Sequence, residues 1–257
     1  MAPHKPGLES IMAETSEATK LEDSHGFSEY SGSVKLKGKN ALVTGGDSGI
    51  GRSVALLVAR EGADVTIAYL LSKQPHAEAT KKFVEQEKRT CLLIECDLRD
   101  RHACRHAVDE DVKKYGAVNI LVNNASKQYL STQFEDVDPD KAENIFRKNI
   151  IQMIAMAKFA LLHMTQGSWI MLLLWLFGLS NTLDPKGIRV NAVAPGAIYT
   201  PIQVDTRDAN QMEGWGHKAG LGRPGEPSEV ATSFVFLASA EASLYYGQVM
   251  HCYPRGD

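Results

Sequence analysis

Residues 41–60 restrict the folds open to this chain more than any other stretch. The apolar run Ala41-Leu42-Val43 leads into Thr44-Gly45-Gly46-Asp47-Ser48-Gly49-Ile50-Gly51, and a helical pattern follows from Ser53 to Arg60. The order is strand, glycine-rich turn, helix. Gly45 can take backbone angles that other residues avoid. Gly49 and Gly51 let the backbone approach a pyrophosphate and let the helix pack close to the strand. The helix start then offers unpaired N–H groups and a partial positive charge to phosphates. A glycine-rich surface turn is the plainer reading, but the strand–turn–helix context favours a dinucleotide site.

The rest of the chain repeats the alternation. Strands are expected at Ala63–Leu70, Cys91–Cys96, Val118–Val122, Ile188–Val193 and Gln248–Tyr253. Helices are expected at Ala77–Lys88, Ala103–Lys114, Ala142–Met164 and Glu226–Ala238. Apolar strands separated by helices predict a single doubly wound α/β domain, with a parallel sheet covered on both faces. Ligands of such sheets lie beyond the carboxyl ends of the strands. Thr44, Asp97, Asn123 and Pro195 each follow a strand, so they should converge on one crevice. Residues 1–37 are polar and lack periodicity, and read as a mobile arm ordered near Phe27 and Tyr30; residues 38–257 form the domain.

With 257 residues, 44% of them hydrophobic, the chain can bury one large core. A net charge of -3 leaves no basic footprint for nucleic acid. Cys91, Cys96, Cys104 and Cys252 form no CxxC pair and no metal-ligand cluster, so no metal is expected, and free thiols suit a reducing, cytoplasmic setting. The opening Met-Ala-Pro-His-Lys holds no apolar core of a secretory signal, and no apolar run is long enough for a membrane span.

Several motifs taken together resemble the short-chain dehydrogenase/reductase family: TGGDSGIG at 44–51, CDL at 96–98, NNA at 123–125, Asn149 within RKNI, and IRVNAVAPGAIYTP at 188–201. The likeness covers about 40–166 and 178–253, and the arm resembles a subgroup with an N-terminal extension. It implies a Rossmann-like fold and NAD(P)-dependent hydride transfer on a small alcohol or carbonyl, in a homo-oligomer. By this resemblance Gly45, Ser48, Gly49, Ile50 and Gly51 hold the pyrophosphate. Asp97 and Leu98 border the adenine, and Asn123 and Ala125 flank the cofactor ribose. Pro195, Gly196, Ile198 and Thr200 hold the nicotinamide end, and Asn149 belongs to the proton relay. Plainer roles stay open: Asp97 as a helix cap, Asn149 as a packing residue, Pro195-Gly196 as a strand terminator. Tyr69 stands where NAD-selective relatives carry an acid, and Arg52 and Lys73 are close by, so the cofactor reading leans to NADP over NAD, with Asp47 opposing it.

The resemblance breaks after the fifth strand of the domain, expected at Trp169–Leu173. Family chemistry uses a serine at that strand's end and a Tyr-xxx-Lys pair on the next helix. Here Leu174–Leu183 would be a short helix, and roughly twenty residues carrying that serine, tyrosine and lysine are absent. The only tyrosine with lysine four residues on is Tyr69, on the adenosine side; Ser168 starts a strand, and Tyr199 has no lysine at 203. A shortened crossover is therefore expected, with Trp169, Leu172, Trp175 and Phe177 partly exposed and solubility poor unless a partner covers them. Three readings follow: an inactive cofactor-binding module or interaction partner, a chain shortened from a longer active one, or an enzyme in which another group replaces the tyrosine. The abrupt Leu- and Trp-rich junction favours the second as origin, and dehydrogenase activity is expected to be impaired.

Overall fold

The structure, a computed structural model, describes residues 12–131, 133–171, 176–212, 214–217 and 219–252. A polar hairpin comes first, β1 (Lys20–Asp23) and β2 (Gly26–Glu29). The alternating units follow: β3 (Asn40–Thr44), α1 (Gly49–Arg60), β4 (Asp64–Tyr69), α2 (Gln74–Gln86), β5 (Cys91–Glu95), α3 (Arg101–Tyr115) and β6 (Ile120–Asn123). The second half holds α4 (Pro139–Phe146), α5 (Gln152–Ala160), β7 (Trp169–Met171), α6 (Leu176–Leu183), β8 (Arg189–Pro195), α7 (Pro201–Thr206), α8 (Ala209–Met212), α9 (Pro227–Ala238) and β9 (Val249–Cys252).

The central sheet has seven strands, all paired in parallel, in the order β5-β4-β3-β6-β7-β8-β9. The chain runs outward from β3 to β5, then returns to β6 on the other side of β3. That reversal opens a crevice between the ends of β3 and β6, the expected ligand position. Side chains alternate across the sheet. Ala41, Val43, Ile120, Val122, Trp169 and Met171 join the core under α1 and α9. Leu42, Leu121 and Ile170 join the core under α3 and α5, together with Leu183 of α6.

Two expectations need correction. Trp169 is not exposed: it is completely buried, its ring edge-on to Phe234 of α9 at 6.5 Å. Its position in β7 turns it to the face that the shortened helix does not cover. Leu172 and Trp175, and the side chain of Phe177, lie outside the described residues. The expected helix Ala142–Met164 is also interrupted. Asp138 caps its start with Pro139 in the first turn, and a π-helical turn at Arg147–Ile151 separates α4 from α5. An extra residue in one turn rotates the apolar stripe, and such turns are frequent at functional sites.

The arm is hydrogen-bonded to the domain through Glu61, a fully buried carboxylate at the end of α1. Glu61 accepts from the Tyr30 hydroxyl, from Ser33 N at 3.0 Å and from Lys35 N at 2.9 Å. A second buried carboxylate, Asp111 of α3, accepts from Thr66 Oγ1 at 2.5 Å and Asn40 Nδ2 at 3.0 Å, tying the helix to β3 and β4. Burial pushes its carboxyl up to about 6, and the two hydrogen bonds only partly offset this. Between an ordinary aspartate value of about 4 and this folded value, the unfolded chain has lost the proton and the folded chain keeps it. Stability from this group therefore falls as pH rises through that window, by on the order of 2–3 kcal/mol. Urea melts of the wild type and of Asp111→Asn at pH 4 to 7 should show the downward slope only in the wild type. Equal slopes would rule the carboxyl out as its source.

Candidate dinucleotide site

The crevice is built where β3 and β6 end. Thr44 Oγ1 donates to Val122 O at 3.3 Å and accepts from Asn124 N and Ala125 N, each at 3.0 Å. Asn124 Nδ2 returns bonds to Thr44 O and Gly45 O, both at 3.1 Å. The two loops are thereby fixed to each other. Gly45 has φ +65°, and a Cβ there would stand 3.1 Å from Ala125 Cα. A Cβ on Gly51 would stand 2.1 Å from Gly45 O. Gly51 thus lets α1 approach its own loop, and lies behind the crevice rather than on its wall.

At the start of α1, Ser48 makes no side-chain capping bond, its hydroxyl donating to Asp47 Oδ2 at 3.0 Å, and no acid occupies the first turn. An uncapped helix start facing a cavity suits an anion. The cavity encloses about 580 Å³ and has walls from Gly45, Ser48, Gly49, Ile50, Leu98, Ala125 and Thr200. That volume lies within the range of cofactor sites. Further cations reach it: Lys73, Arg99, Lys127, Lys141 and Lys148. Glycines without steric room for side chains, an uncapped helix start and several cations fit a dinucleotide phosphate group.

Asn123, Asp97, Pro195, Gly196, Ile198 and Asn149 do not line this cavity. Asn123 is buried beneath it, and its Nδ2 donates to Met171 O at 3.1 Å, while Oδ1 finds no partner. Asp97 faces the adjoining surface depression and pairs with Arg99, whose hydrogen bonds hold the carboxyl below the usual carboxylate range. Pro195 and Gly196 continue β8 and follow its end, and Ile198 is buried in a bridge with Gly225. Asn149 sits in the π turn. Its Oδ1 accepts from Lys127 N at 2.8 Å and its Nδ2 donates to Lys127 O at 2.7 Å, so the side chain clamps the loop after β6.

Tyr69, at the end of β4, lines the cavity together with Lys73 and bonds Gln74, away from the β6–β7 end. Ser168 is buried at the start of β7, its hydroxyl accepting from Thr165 N at 3.1 Å, a structural position. Arg52 wraps the loop from behind, donating to Asp47 O at 2.7 Å and Thr80 Oγ1 at 3.0 Å.

Residues that the sequence reading did not single out come from the loop after β6 and the turn of α4 into α5. Lys127 Nζ lies 4.7 Å from the centre of the Tyr129 ring, with Lys141 Nζ at 5.8 Å. Gln128 Nε2 donates to Thr206 Oγ1 at 2.5 Å and Gln203 Oε1 at 3.1 Å, joining this loop to α7. Burial lowers the amine of Lys148, with Asp97 opposing and Lys127 adding to the shift. The position of Lys148 next to Asn149 was the available signal; the loop residues carried none.

This fold and cradle define a doubly wound α/β protein of the nucleotide-binding class. Residues 39–171 match the profile described as short chain dehydrogenase, and residues 175–252 that described as Enoyl-(Acyl carrier protein) reductase. Uncharacterized oxidoreductase YhdF of Bacillus subtilis is 39% identical over 87% of this chain and 85% of its own length. Glucose and ribitol dehydrogenase of Daucus carota is 36% identical over 98% of this chain and 93% of its own. A short-chain dehydrogenase from Burkholderia cenocepacia J2315, solved in complex with NADP, superposes with a TM-score of 0.77 at 28% identity, over 84% of this chain and 97% of that one. The chain belongs to the short-chain dehydrogenase/reductase family, whose members are NAD(P)-dependent oxidoreductases. Among the described residues, no helix is long and apolar enough to cross a membrane, and no metal-holding cluster occurs.

Proposed function

We propose that this chain binds a pyridine dinucleotide, with NADP preferred over NAD, and is impaired in transferring hydride to or from an alcohol or carbonyl. The observation that carries this is the junction after β7. Only four residues separate Met171 from the start of α6 at Leu176. The two family profiles break at the same place, one ending at 171 and the other beginning at 175. Pairing with the carrot dehydrogenase runs over 280 positions, so against 257 residues here at least 23 of them find no counterpart. We read these unmatched positions as falling at this junction, where by the family resemblance the serine, tyrosine and lysine belong.

The dinucleotide itself would supply the hydride. This chain's residues would hold it: the N–H groups at Gly49 and Ile50 on the pyrophosphate, Ala125 and Asn124 along the ribose, Leu98 against the adenine. Thr200 and the loop from Pro195 would cover the nicotinamide. Asn149 would act by fixing the Lys127 backbone. Its amide does not titrate near neutral pH, so it delivers no proton.

Preference for NADP rests on Lys73, buried and lining the cavity with Tyr69, and on β4 ending in Tyr69 rather than a carboxylate, while Glu95 and Glu78, which act on the same ring, oppose it. Charge-assisted hydrogen bonds exceed neutral ones by a margin that corresponds to about tenfold in affinity. Lys73→Ala should therefore weaken NADP binding about tenfold and leave NAD binding nearly unchanged. Calorimetric titration of both proteins with both nucleotides tests this. Tighter wild-type binding of NAD than of NADP would overturn it. The alternative, a binding module without turnover, differs by measurable activity, and is treated with the grafting experiment below.

A further inference from the structure

The N-terminal hairpin is anchored at two places: Glu29 of β2 pairs with Arg60 of α1 at 2.6 Å, and the rest of its contacts fall on one short stretch, Arg223 to Glu229, far away in sequence. Glu22 of β1 pairs with Arg223, and Phe27 of β2 lies under the same guanidinium at 5.5 Å. Glu17 N donates to Glu226 Oε2 at 2.7 Å, and Ser228 Oγ donates to Lys20 O at 2.6 Å. Arg223 also forks onto Glu229, at 2.9 Å to each carboxylate oxygen. A bidentate guanidinium with an aromatic face beneath it fixes a backbone segment better than an isolated surface pair does.

That segment is itself part of the crevice's support. Gly225 bridges Ile198 in parallel, with Tyr199 N donating to Gly225 O at 2.9 Å and Gly225 N to Ala197 O at 2.9 Å. Thr200 follows immediately and is buried on Gly49, so close that a Cβ on Gly49 would stand 3.3 Å from Thr200 Cγ2. Hairpin, Arg223, Gly225, Ile198–Tyr199 and Thr200 thus form one connected path to the wall of the cavity.

We propose that Arg223 is a positioning residue through which the N-terminal hairpin holds residues 197–201, and with them Thr200, against the glycine turn of the dinucleotide crevice. This rests on the crevice binding a dinucleotide, as argued above. The hairpin acts as a strap across the base of the loop that covers the cofactor, and its loss loosens that loop without disturbing the sheet.

The test uses the full chain carrying Glu22→Ala and Phe27→Ala together. Both side chains are a little under half exposed, at 45% for Glu22 and 43% for Phe27, and neither belongs to the two buried cores. Hydrogen exchange of the free protein should speed up at 197–206 and stay unchanged in β3, β4 and β6. The dissociation constant for NADP should rise about threefold to tenfold, the combined size expected of an exposed ion pair and a cation–aromatic contact. Glu22→Asp alone should keep wild-type exchange and affinity. Unchanged exchange at 197–206 would overturn the strap, and so would faster exchange with unchanged affinity. A wild-type protein binding neither NADP nor NAD would instead remove the dinucleotide reading, and the exchange measurement would still decide whether the strap exists.

Discussion

Gly51→Val is expected to abolish dinucleotide binding and to lower the stability of the fold by several kcal/mol. Its first added atom would stand 2.1 Å from the Gly45 carbonyl oxygen and 2.4 Å from Asn124 Nδ2. The first of these is backbone, and the second is a side chain fixed by its bonds to Thr44 O and Gly45 O. Neither can move without opening the crevice. Overpacking a tight site typically costs 1–3 kcal/mol, and a collision with backbone should exceed that range. The glycine turn, the β6 loop and the first turn of α1 would shift together, so loss of NADP binding and a lower melting point should appear in the same protein. Gly178→Ala serves as the control. That position is exposed in α6 with open space around it, and replacing a helical glycine there should be neutral or stabilising by up to ~1 kcal/mol. Equal NADP affinity in wild type and Gly51→Val would show that this turn does not form the site.

The second large effect concerns turnover. Reduction of a carbonyl places negative charge on its oxygen, and a donor must meet that charge as it develops. On the proposed reading, positioning of the hydride would survive, because Gly45, Gly49, Ala125 and Thr200 all line the cavity. Among the described residues, α6 carries no Tyr-xxx-Lys pair; Tyr69 bonds Gln74 at the end of β4, and Tyr129, whose ring meets Lys127 and Lys141, lies in the loop after β6. A positioned acid/base contributes about 10²–10⁴-fold. The unmodified chain, assayed over alcohols and carbonyls with NAD(H) and NADP(H), should therefore turn over at least about a hundredfold more slowly than a chain with a full-length segment grafted between Met171 and Gly178. The graft carries the family's serine and Tyr-xxx-Lys. A graft that binds NADP but gains no rate would count against the missing pair as the cause. Equal rates in both chains would show that another residue has taken the tyrosine's place.

Much of this architecture was legible because burial and period agree. β3 is buried at all five positions, as a strand covered on both faces must be, and the apolar run before the turn announced it. The start of α3 was not read: its cap is Asp100, not Asp97, and Gly116 ends the helix in a left-handed conformation. The hairpin could not be read this way. KLED and GFSE are polar, mostly exposed strands without periodicity, fixed by partners some two hundred residues away. The π turn was hidden for a different reason, since its residues continue a good helical pattern and only the clamp from Asn149 to Lys127 marks the break. Trp169 was misplaced because its surroundings were judged from the abrupt segment after it rather than from the pleat of β7, which turns it towards Phe234.

The pairing of Glu17 with Glu226, 209 positions apart, also has a consequence in time. A ribosome delivers the hairpin among the first residues and its docking stretch among the last. The contacts of Glu17, Lys20 and Glu22 must therefore wait while six of the seven sheet strands, β3 to β8, are laid down, although Glu29 can already pair with Arg60. Extending the wait is entropically cheap, because the closure cost grows only with the logarithm of the intervening length. The contact is nonetheless among the most non-local in the fold, and such contacts are slow to form. Docking of the hairpin would then close folding rather than begin it. A nascent chain halted before Arg223 would leave Glu17, Lys20 and Glu22 without these partners.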